Sequence, residues 1–415
     1  MYSDKKRVIL HSDMNNFYAT VECMLEPRLR NKNVVVGGSV DERHGIVLAK
    51  NYGAKACGVK TGDVIWQARQ KCPDLIVVPP HYEQYLKFSQ LAREIYSRYT
   101  DQIEPYGMDE CWLDVTKSQL FGTGYEIAEK IRKTITFELG LTVSIGVSFN
   151  KIFAKLGSDM KKPDAITCIG SDDFKDIIWE LPVEELLGVG RATLKVLHSI
   201  SVFTIRQLAH TSDTIMHHKL GKNGMLLKYY ANGLDSSIVC HKDFVSPVKS
   251  IGHGITTMQD LENSAEVWRV LLELVQDVAN KLRIHKKKAT GVSVAIKNNQ
   301  LYRQQYQCKL DFPTQNASFI AEKSFALFTK NYDWEYDVRS VSITAITLED
   351  ENIPIQHDLF TDIDTLVKRE KLDIATTSIR KRFGKHAIRN AVLLQDNKIV
   401  KDTESIITMP TGMIK

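Results

Sequence analysis

Three carboxylates stand where chemistry could gather. Asp13 follows a short apolar run at 7–12 (RVILHS). Asp109 and Glu110 sit together in GMDECWLD, between strand-like runs at 103–106 and 111–115, with Gly107 at the turn. Taken alone, two acidic residues at a hairpin are a solvated turn, because turns favour aspartate. If the first run and the hairpin are neighbours in one sheet, all three converge at one edge. Clustered carboxylates repel unless a cation neutralises them. Magnesium suits such a cluster, since it takes oxygen ligands and accepts one or two carboxylates together with substrate phosphates. Two such ions ~3.5–4 Å apart can activate an attacking hydroxyl and stabilise a leaving pyrophosphate. The main-chain carbonyl of Met14 offers one more oxygen. Asp114 lies four residues beyond Glu110, and its expected role is structural or capping.

The elements that must position these groups follow from periodicity. Strands are expected at 7–12, 34–38 and 45–49, and helices at 63–72 and 82–99. After the hairpin, 124–138 reads as a helix and 141–148 (LTVSIGVS) as a β-branched strand. Asn150 is placed to cap the next helix, KIFAKLGSDM. The order strand, hairpin, helix, strand resembles a split βαβ sheet. From 171 to about 232 short helices dominate. There LLGVGRATLKVL reads as a helix-hairpin-helix: Gly188 and Gly190 permit a tight turn whose N–H groups can bind a phosphate without reading bases. Arg191 and Lys195 add positive charge. Residues 234–248 read as a linker. Beyond it come a strand (SIGHGITTM), a helix over 264–285, a strand pair, a helix over 316–330 and a last strand (DVRSVSITAIT), a separate β-α-β-β-α-β unit. The fold class is α+β, multidomain.

Composition narrows the function classes. The 415 residues carry a formal charge of +5, which permits a polyanion partner without demanding one. The seven cysteines are scattered with no C-x-x-C pair, so neither a disulfide framework nor a zinc ribbon is expected. No H-E-x-x-H occurs, and His217-His218 reads as surface. No apolar run approaches the ~20 residues that span a bilayer. A reduced, cytoplasmic protein with no membrane partner is the expectation.

Five segments, DMNNFYATVE, AKNYGAKACGVKTGD, GMDECWLD, SIGVSFNKIFAKLGSDMKKP and LLGVGRAT, occur in that order. Together they resemble the Y-family, lesion-bypass DNA polymerases, over about residues 7–350. Within the family, the AKN…GVKTGD stretch leans toward the UmuC type and Tyr52 toward the DinB type, so the subgroup stays open. The resemblance implies a right-hand polymerase. Its palm would be residues 1–24 and 79–170, its small fingers 25–78 and its helix-hairpin-helix thumb 171–240. A linker would follow at 241–248, then a little finger at 249–350 and a tail at 351–415. It implies low-fidelity, template-directed synthesis without proofreading, from dNTPs on primer-template DNA, by a monomer.

Residue by residue, the family's metal carboxylates fall on Asp13, Asp109 and Glu110, with Met14, for two Mg2+ ions that Mn2+ can replace. The sugar-discriminating position falls on Tyr18, with Phe17 beside it expected to face the other way on an extended segment. The triphosphate contacts fall on Tyr52, Lys55 and Lys162, and Phe17 and Tyr18 are counted with them as nucleotide-binding residues. Two departures stand out: Ala49 replaces a frequent hydroxyl residue, and Lys55 replaces a frequent arginine, giving a point charge in place of a bidentate fork. The thumb contact implies Gly188, Gly190 and Arg191, and a basic stripe of Lys281, Arg283, Lys286, Lys287 and Lys288 would meet phosphates in the little finger. In the tail, Gln356, Leu359 and Phe360 resemble the Q-x-x-L-F peptide that enters a sliding clamp, and 378–394 reads as a basic amphipathic helix of open partner. Two other readings remain. Another palm-fold nucleotidyltransferase would have no use for a thumb and little finger. A non-catalytic, clamp-associated DNA-binding subunit fits the departures at Ala49 and Lys55 but not three intact carboxylates.

Overall fold

In the computed structural model, which describes residues 7–38, 43, 45–354, 363–384, 387–394 and 398, the chain divides into two units, the first holding 7–38 and 46–246, the second 43, 45 and the described residues from 247 on. The elements of the first run in order as β1 (Ile9–Met14), α1 (Phe17–Leu25), β2 (Val34–Gly37), β3 (Val47–Lys50), α2 (Tyr52–Ala56), α3 (Ile65–Lys71), β4 (Ile76–Val78) and α4 (Tyr82–Tyr96). There follow β5 (Ile103–Pro105), β6 (Glu110–Asp114), α5 (Gly124–Leu139), β7 (Val143–Ser148), α6 (Lys151–Met160) and β8 (Ile166–Ile169). Five strands form one sheet, β5-β6-β1-β7-β8, with β1 antiparallel to both neighbours. All six residues of β1 are buried, which explains why its sequence shows no polar alternation: a central strand is covered on both faces. Leu10 and Met14 join a core with Tyr85, Ile95, Ile127 and Ile131 from α4 and α5. The opposite face, with Ile9, Trp112 and Ala154, lies under α6. β8 and β4 are strands the periodicity does not announce, because four and three residues are too few to show a period.

The seat of α6 is set by glycine. A Cβ on Gly146 would stand 1.9 Å from the carbonyl oxygen of Ala154 and 2.6 Å from the nitrogen of Ser158. Only a residue without a side chain lets the helix press this close to β7. Asn150 starts α6 as expected, its side chain accepting from Phe153 N at 2.8 Å. A second sheet, β3-β2-β4, packs Val35 and Val47 against Ala54 of α2 and Ile65 and Ala68 of α3. Four helices complete the unit: α7 (Phe174–Ile178), α8 (Arg191–Ser199), α9 (Ile205–His210) and α10 (Asp213–Ala231), the last broken at Gly221. Ile178, Leu197, Leu208 and Met216 form their core.

The second unit runs β9 (Ile251–Leu261), α11 (Ser264–Ile284), β10 (Lys287–Asn298), β11 (Arg303–Thr314), α12 (Ala317–Asn331) and β12 (Val338–Asp350). This is the β-α-β-β-α-β order read from the sequence. The sheet is β11-β10-β12-β9, antiparallel throughout, with Val270, Leu274 and Val278 of α11 and Ile320 and Phe328 of α12 packed on it.

Two expectations change in the tail. The helix there is α13 (Ile363–Phe383), not a helix over 378–394. It stops because Gly384 takes φ 94, and 391–394 is a separate 3-10 turn. Arg283 does not belong to a free basic stripe. Its guanidinium bonds Asp373 at 3.2 Å and Thr377 at 3.2 Å on α13. Asp373 also accepts from Ala317 N at 2.8 Å, so this pair fastens the tail helix to the start of α12.

Candidate active site

The register of β1 and β6 settles where the carboxylates go. Asp13 pairs directly with Glu110, and Met14 N donates to the main-chain oxygen of Asp109 at 2.9 Å. Residues almost one hundred positions apart therefore share one sheet edge. Asp114 lies at the far end of the same ladder, opposite Ile9, where its side chain accepts from Thr116 N at 2.9 Å. It shapes a turn, as expected, and takes no part in the cluster.

Two lysines that follow the sheet enter the same place. Lys155 of α6 puts its Nζ 3.1 Å from Asp13 Oδ2, 2.9 Å from Glu110 Oε1 and 2.9 Å from Asp159 Oδ2. Lys162 reaches Asp13 Oδ2 at 2.8 Å and Asp159 Oδ1 at 2.9 Å. Asp13 is 4% exposed, so these charges meet in a poorly solvated setting. Burial pushes the Asp109 carboxyl up to about 6, with the neighbouring Asp13 charge adding to it. Burial likewise raises Glu110 to about 7, against the pull of Lys155. Burial alone would lower Lys155, but Asp13, Glu110 and Asp159 outweigh it and hold its ammonium above the ordinary lysine range.

Among the described residues, no three His, Cys, Asp or Glu side chains are already gathered to hold a metal ion. The lysines account for that, because the oxygens of Asp13 and Glu110 are turned onto ammonium groups. The donor set still fits a hard divalent cation: three carboxylates and a main-chain carbonyl, all oxygen, with Asp109 and Glu110 raised by burial that the lysines only partly offset. The ammoniums mark where positive charge is wanted.

His11 is a further neighbour. Its Nδ1 lies 2.8 Å from Ser158 Oγ, whose own proton goes to Lys155 O, so Nδ1 carries the hydrogen. The bare Nε2 makes no hydrogen bond and lies 3.8 Å from Glu110 Oε2. Burial first, then Lys155, Lys162 and Lys151, holds His11 well below the ordinary histidine range.

Phe17 and Tyr18 differ from expectation. They open helix α1, after Asn16 in the left-handed region (φ 49), and are not on an extended segment. Their rings do not face opposite ways but pack on each other, 5.6 Å between centroids. Phe17 is 2% exposed and belongs to the core, so its side chain has no path to a nucleotide. Tyr18 is half-buried, stacked on Tyr85, with its hydroxyl 3.9 Å from Met108 Sδ. Burial, then the Asp109 charge, raises its hydroxyl above the ordinary tyrosine range.

Tyr52 begins α2, and its raised hydroxyl reflects burial first, with Lys162 opposing and Asp13 adding. Lys55 is exposed, its Nζ 5.6 Å from the Tyr52 ring centroid, and Ala49 lies on β3. Gly188 takes φ 97 and Gly190 caps the start of α8 at Arg191, the tight turn expected there. In the second unit Lys286 is exposed in the left-handed region (φ 52), and Lys287 pairs with Asp350 at 2.5 Å. Gln356, Leu359 and Phe360 lie outside the described residues.

Lys155, Asp159 and His11 were not singled out from sequence. A signal existed: Lys155, Asp159 and Lys162 follow at i+4 and i+3, the spacing of one helical face running into the next loop.

Known proteins resemble this chain along most of its length. Residues 12–159 match the impB/mucB/samB family, and 248–359 match the impB/mucB/samB family C-terminal domain. The chain is 48% identical to the DNA polymerase IV of Acetivibrio thermocellus, over 94% of this chain and 98% of that one. It is 35% identical to DNA polymerase IV 1 of Bacillus subtilis, over 94% of each. A solved Y-family DNA polymerase chimera superimposes with a TM-score of 0.73 at 25% identity, over 82% of this chain and 99% of that one.

Proposed function

We infer the reaction from one premise: the chain belongs to the impB/mucB/samB family and is a Y-family DNA polymerase of the DinB, or polymerase IV, type. The subgroup left open by the sequence is thereby the DinB one. It is a DNA-directed DNA polymerase of translesion synthesis, acting on primer-template DNA with dNTPs. No described helix is long and apolar enough to cross a membrane.

Asp13, Asp109, Glu110 and the Met14 carbonyl hold divalent cations, two Mg2+ ions or Mn2+ in their place. When bound, these supply charge neutralisation at the triphosphate and a lowered pKa at the primer 3′-hydroxyl. Lys162 and Tyr52 orient the triphosphate, with Lys55 contributing a point charge from α2. Tyr18 is the wall under the sugar. Residues 1–24 and 79–170 act as palm, 25–78 as fingers, 171–240 as thumb and 249–350 as little finger. Gly188, Gly190 and Arg191, with Lys286, Lys287 and Lys288, meet backbone phosphates of the duplex. Gln356, Leu359 and Phe360 engage a sliding clamp, and the chain works as a cytoplasmic monomer. The pairing of Asp13 with Glu110, beside the Asp109–Met14 hydrogen bond, carries this reading.

Primer extension tests it. The chain should extend a primer on undamaged and lesion-bearing templates with Mg2+, and a chelator should stop both. Extension that persists with every divalent ion removed would exclude a metal role for the carboxylates. Tyr18→Ala should raise ribonucleotide insertion relative to the matching deoxynucleotide by roughly 10–100-fold, the range set by one steric contact in a fitted pocket. Single-nucleotide kinetics measure this directly, and an unchanged ratio would place the wall elsewhere.

A further inference from the structure

Behind Tyr18 stands a set of polar contacts that none of the steps above uses. Glu22 lies one turn after Tyr18 on α1, and the i, i+4 spacing puts both on one face. Tyr85 of α4 spans that face. Its ring stacks on Tyr18 at 4.2 Å and 8°, and its hydroxyl donates to Glu22 Oε1. His81 closes the arrangement. Its main-chain N lies 3.3 Å from Glu22 Oε1 and 3.1 Å from the Tyr85 oxygen, and its Nδ1 lies 2.9 Å from Glu22 Oε2. A carboxylate only accepts, so Nδ1 is protonated.

Glu22 is 3% exposed and Tyr85 fully buried. Burying a carboxylate is costly unless its hydrogen bonds are met, and here three donors converge on it. What this secures is mechanical. Two stacked rings resist separation well but slide past each other easily, because offset stacking is broad in the ring plane. Stacking on Tyr85 alone would resist sideways displacement of Tyr18 weakly, and the further ring contacts, with Phe17 and edge-on with Tyr82, are looser at 5.6 and 6.0 Å between centroids. Tyr85 is pinned at its far end by Glu22, and Glu22 belongs to the same helix as Tyr18. The bracket is therefore closed, and sliding of Tyr85 along α1 would break its hydrogen bond.

We propose that Glu22 is a positioning residue for sugar discrimination. Acting through Tyr85, it holds the Tyr18 ring against the displacement that a 2′-hydroxyl would force. This rests on the reading of Tyr18 as the sugar wall. A wall excludes only as strongly as it resists moving, so loosening the support should admit ribonucleotides without removing the wall.

The test is single-nucleotide insertion by the full chain, with kcat/KM measured for a dNTP and the rNTP of the same base. Tyr85→Phe removes one hydroxyl and keeps the stack; Glu22→Gln keeps the shape and removes the anionic acceptor. Each should lower the preference for dNTP about tenfold, through a rise in kcat/KM for the rNTP, with the dNTP value held within about threefold. In a Tyr18→Ala background neither should change the ratio further, since nothing remains to be held. A merely structural role would lower both substrates together and leave the ratio where it was. Should Glu22→Gln fail to fold, Tyr85→Phe still decides the question. An unchanged ratio in the single variants, with Tyr18→Ala altering it, overturns the role of Glu22 and leaves the Tyr18 reading standing. An unchanged ratio in Tyr18→Ala overturns both.

Discussion

Asp109→Ala and Glu110→Ala should each lower template-directed insertion by on the order of 10³-fold or more, and Asp109→Ala should do so with no loss of stability. The rate loss follows from removing an oxygen ligand from a site whose whole contribution is charge and position; a single oxyanion donor elsewhere is worth roughly 10²–10³-fold. The stability expectation comes from the sign of the pKa shifts. Folding raises Asp109 to about 6 and Glu110 to about 7, so the folded state disfavours their ionised forms. At neutral pH and without a divalent ion, removing Asp109 removes a cost. The backbone bond from Met14 N to Asp109 O survives the substitution. Insertion kinetics with Mg2+ and thermal melting in chelator give the two readouts. Asp114→Ala serves as the contrast, because it sits at the other end of the ladder beside Thr116, and its rate should stay within about threefold. A variant of Asp109 or Glu110 that inserts at the unaltered rate would remove it from the metal site. An Asp109 variant that melts well below the unaltered chain would make Asp109 a structural residue.

Much of this site can be read in the residues themselves. The apolar run before Asp13 and the hairpin around Asp109 and Glu110 announce strands, and the ladder between them brings the carboxylates together. The second unit is legible strand by strand because its strands are long, 11–13 residues, and its helices carry a clear apolar stripe. What escapes is whatever depends on a close approach or a local turn. Phe17 and Tyr18 follow Asn16 in the left-handed region, and that single turn starts a helix where an extended segment was expected. The spacing of Lys155 and Asp159 is visible, but which face of α6 meets the sheet depends on contact at Gly146, which a sequence pattern does not display. Arg283 reads as one more cation in a basic run, since its partner Asp373 lies ninety residues away. Gly384, by contrast, is a helix stop printed in the sequence, and it outweighs the basic pattern that continues beyond it.

Lys155→Met should destabilise the chain by about 3 kcal/mol in chelator, and Mg2+ should return part of that loss. Methionine keeps the unbranched length of the stem, so the change is mainly one of charge. Lys155 is the cation nearest Glu110 and one of two on Asp13 and Asp159. Breaking a buried pair by removing one partner costs about 3–5 kcal/mol, because a desolvated charge is left behind. Lys162 remains on Asp13 and Asp159, and the Glu110 side chain is 21% exposed, which argues for the lower end. For a unit of this size, that is a fall in melting midpoint of roughly 6–12 °C. Divalent metal separates two accounts of the lysine. If its ammonium occupies charge that a bound cation otherwise supplies, Mg2+ must displace it in the unaltered chain but not in the variant. The variant should then gain more in melting midpoint per increment of Mg2+, and the gap between the two should narrow. A gap that Mg2+ leaves unchanged would make Lys155 a plain structural partner of Asp13 and Glu110. Glu110→Ala placed on top of Lys155→Met should also recover stability, since it removes the carboxylate that the lysine had balanced.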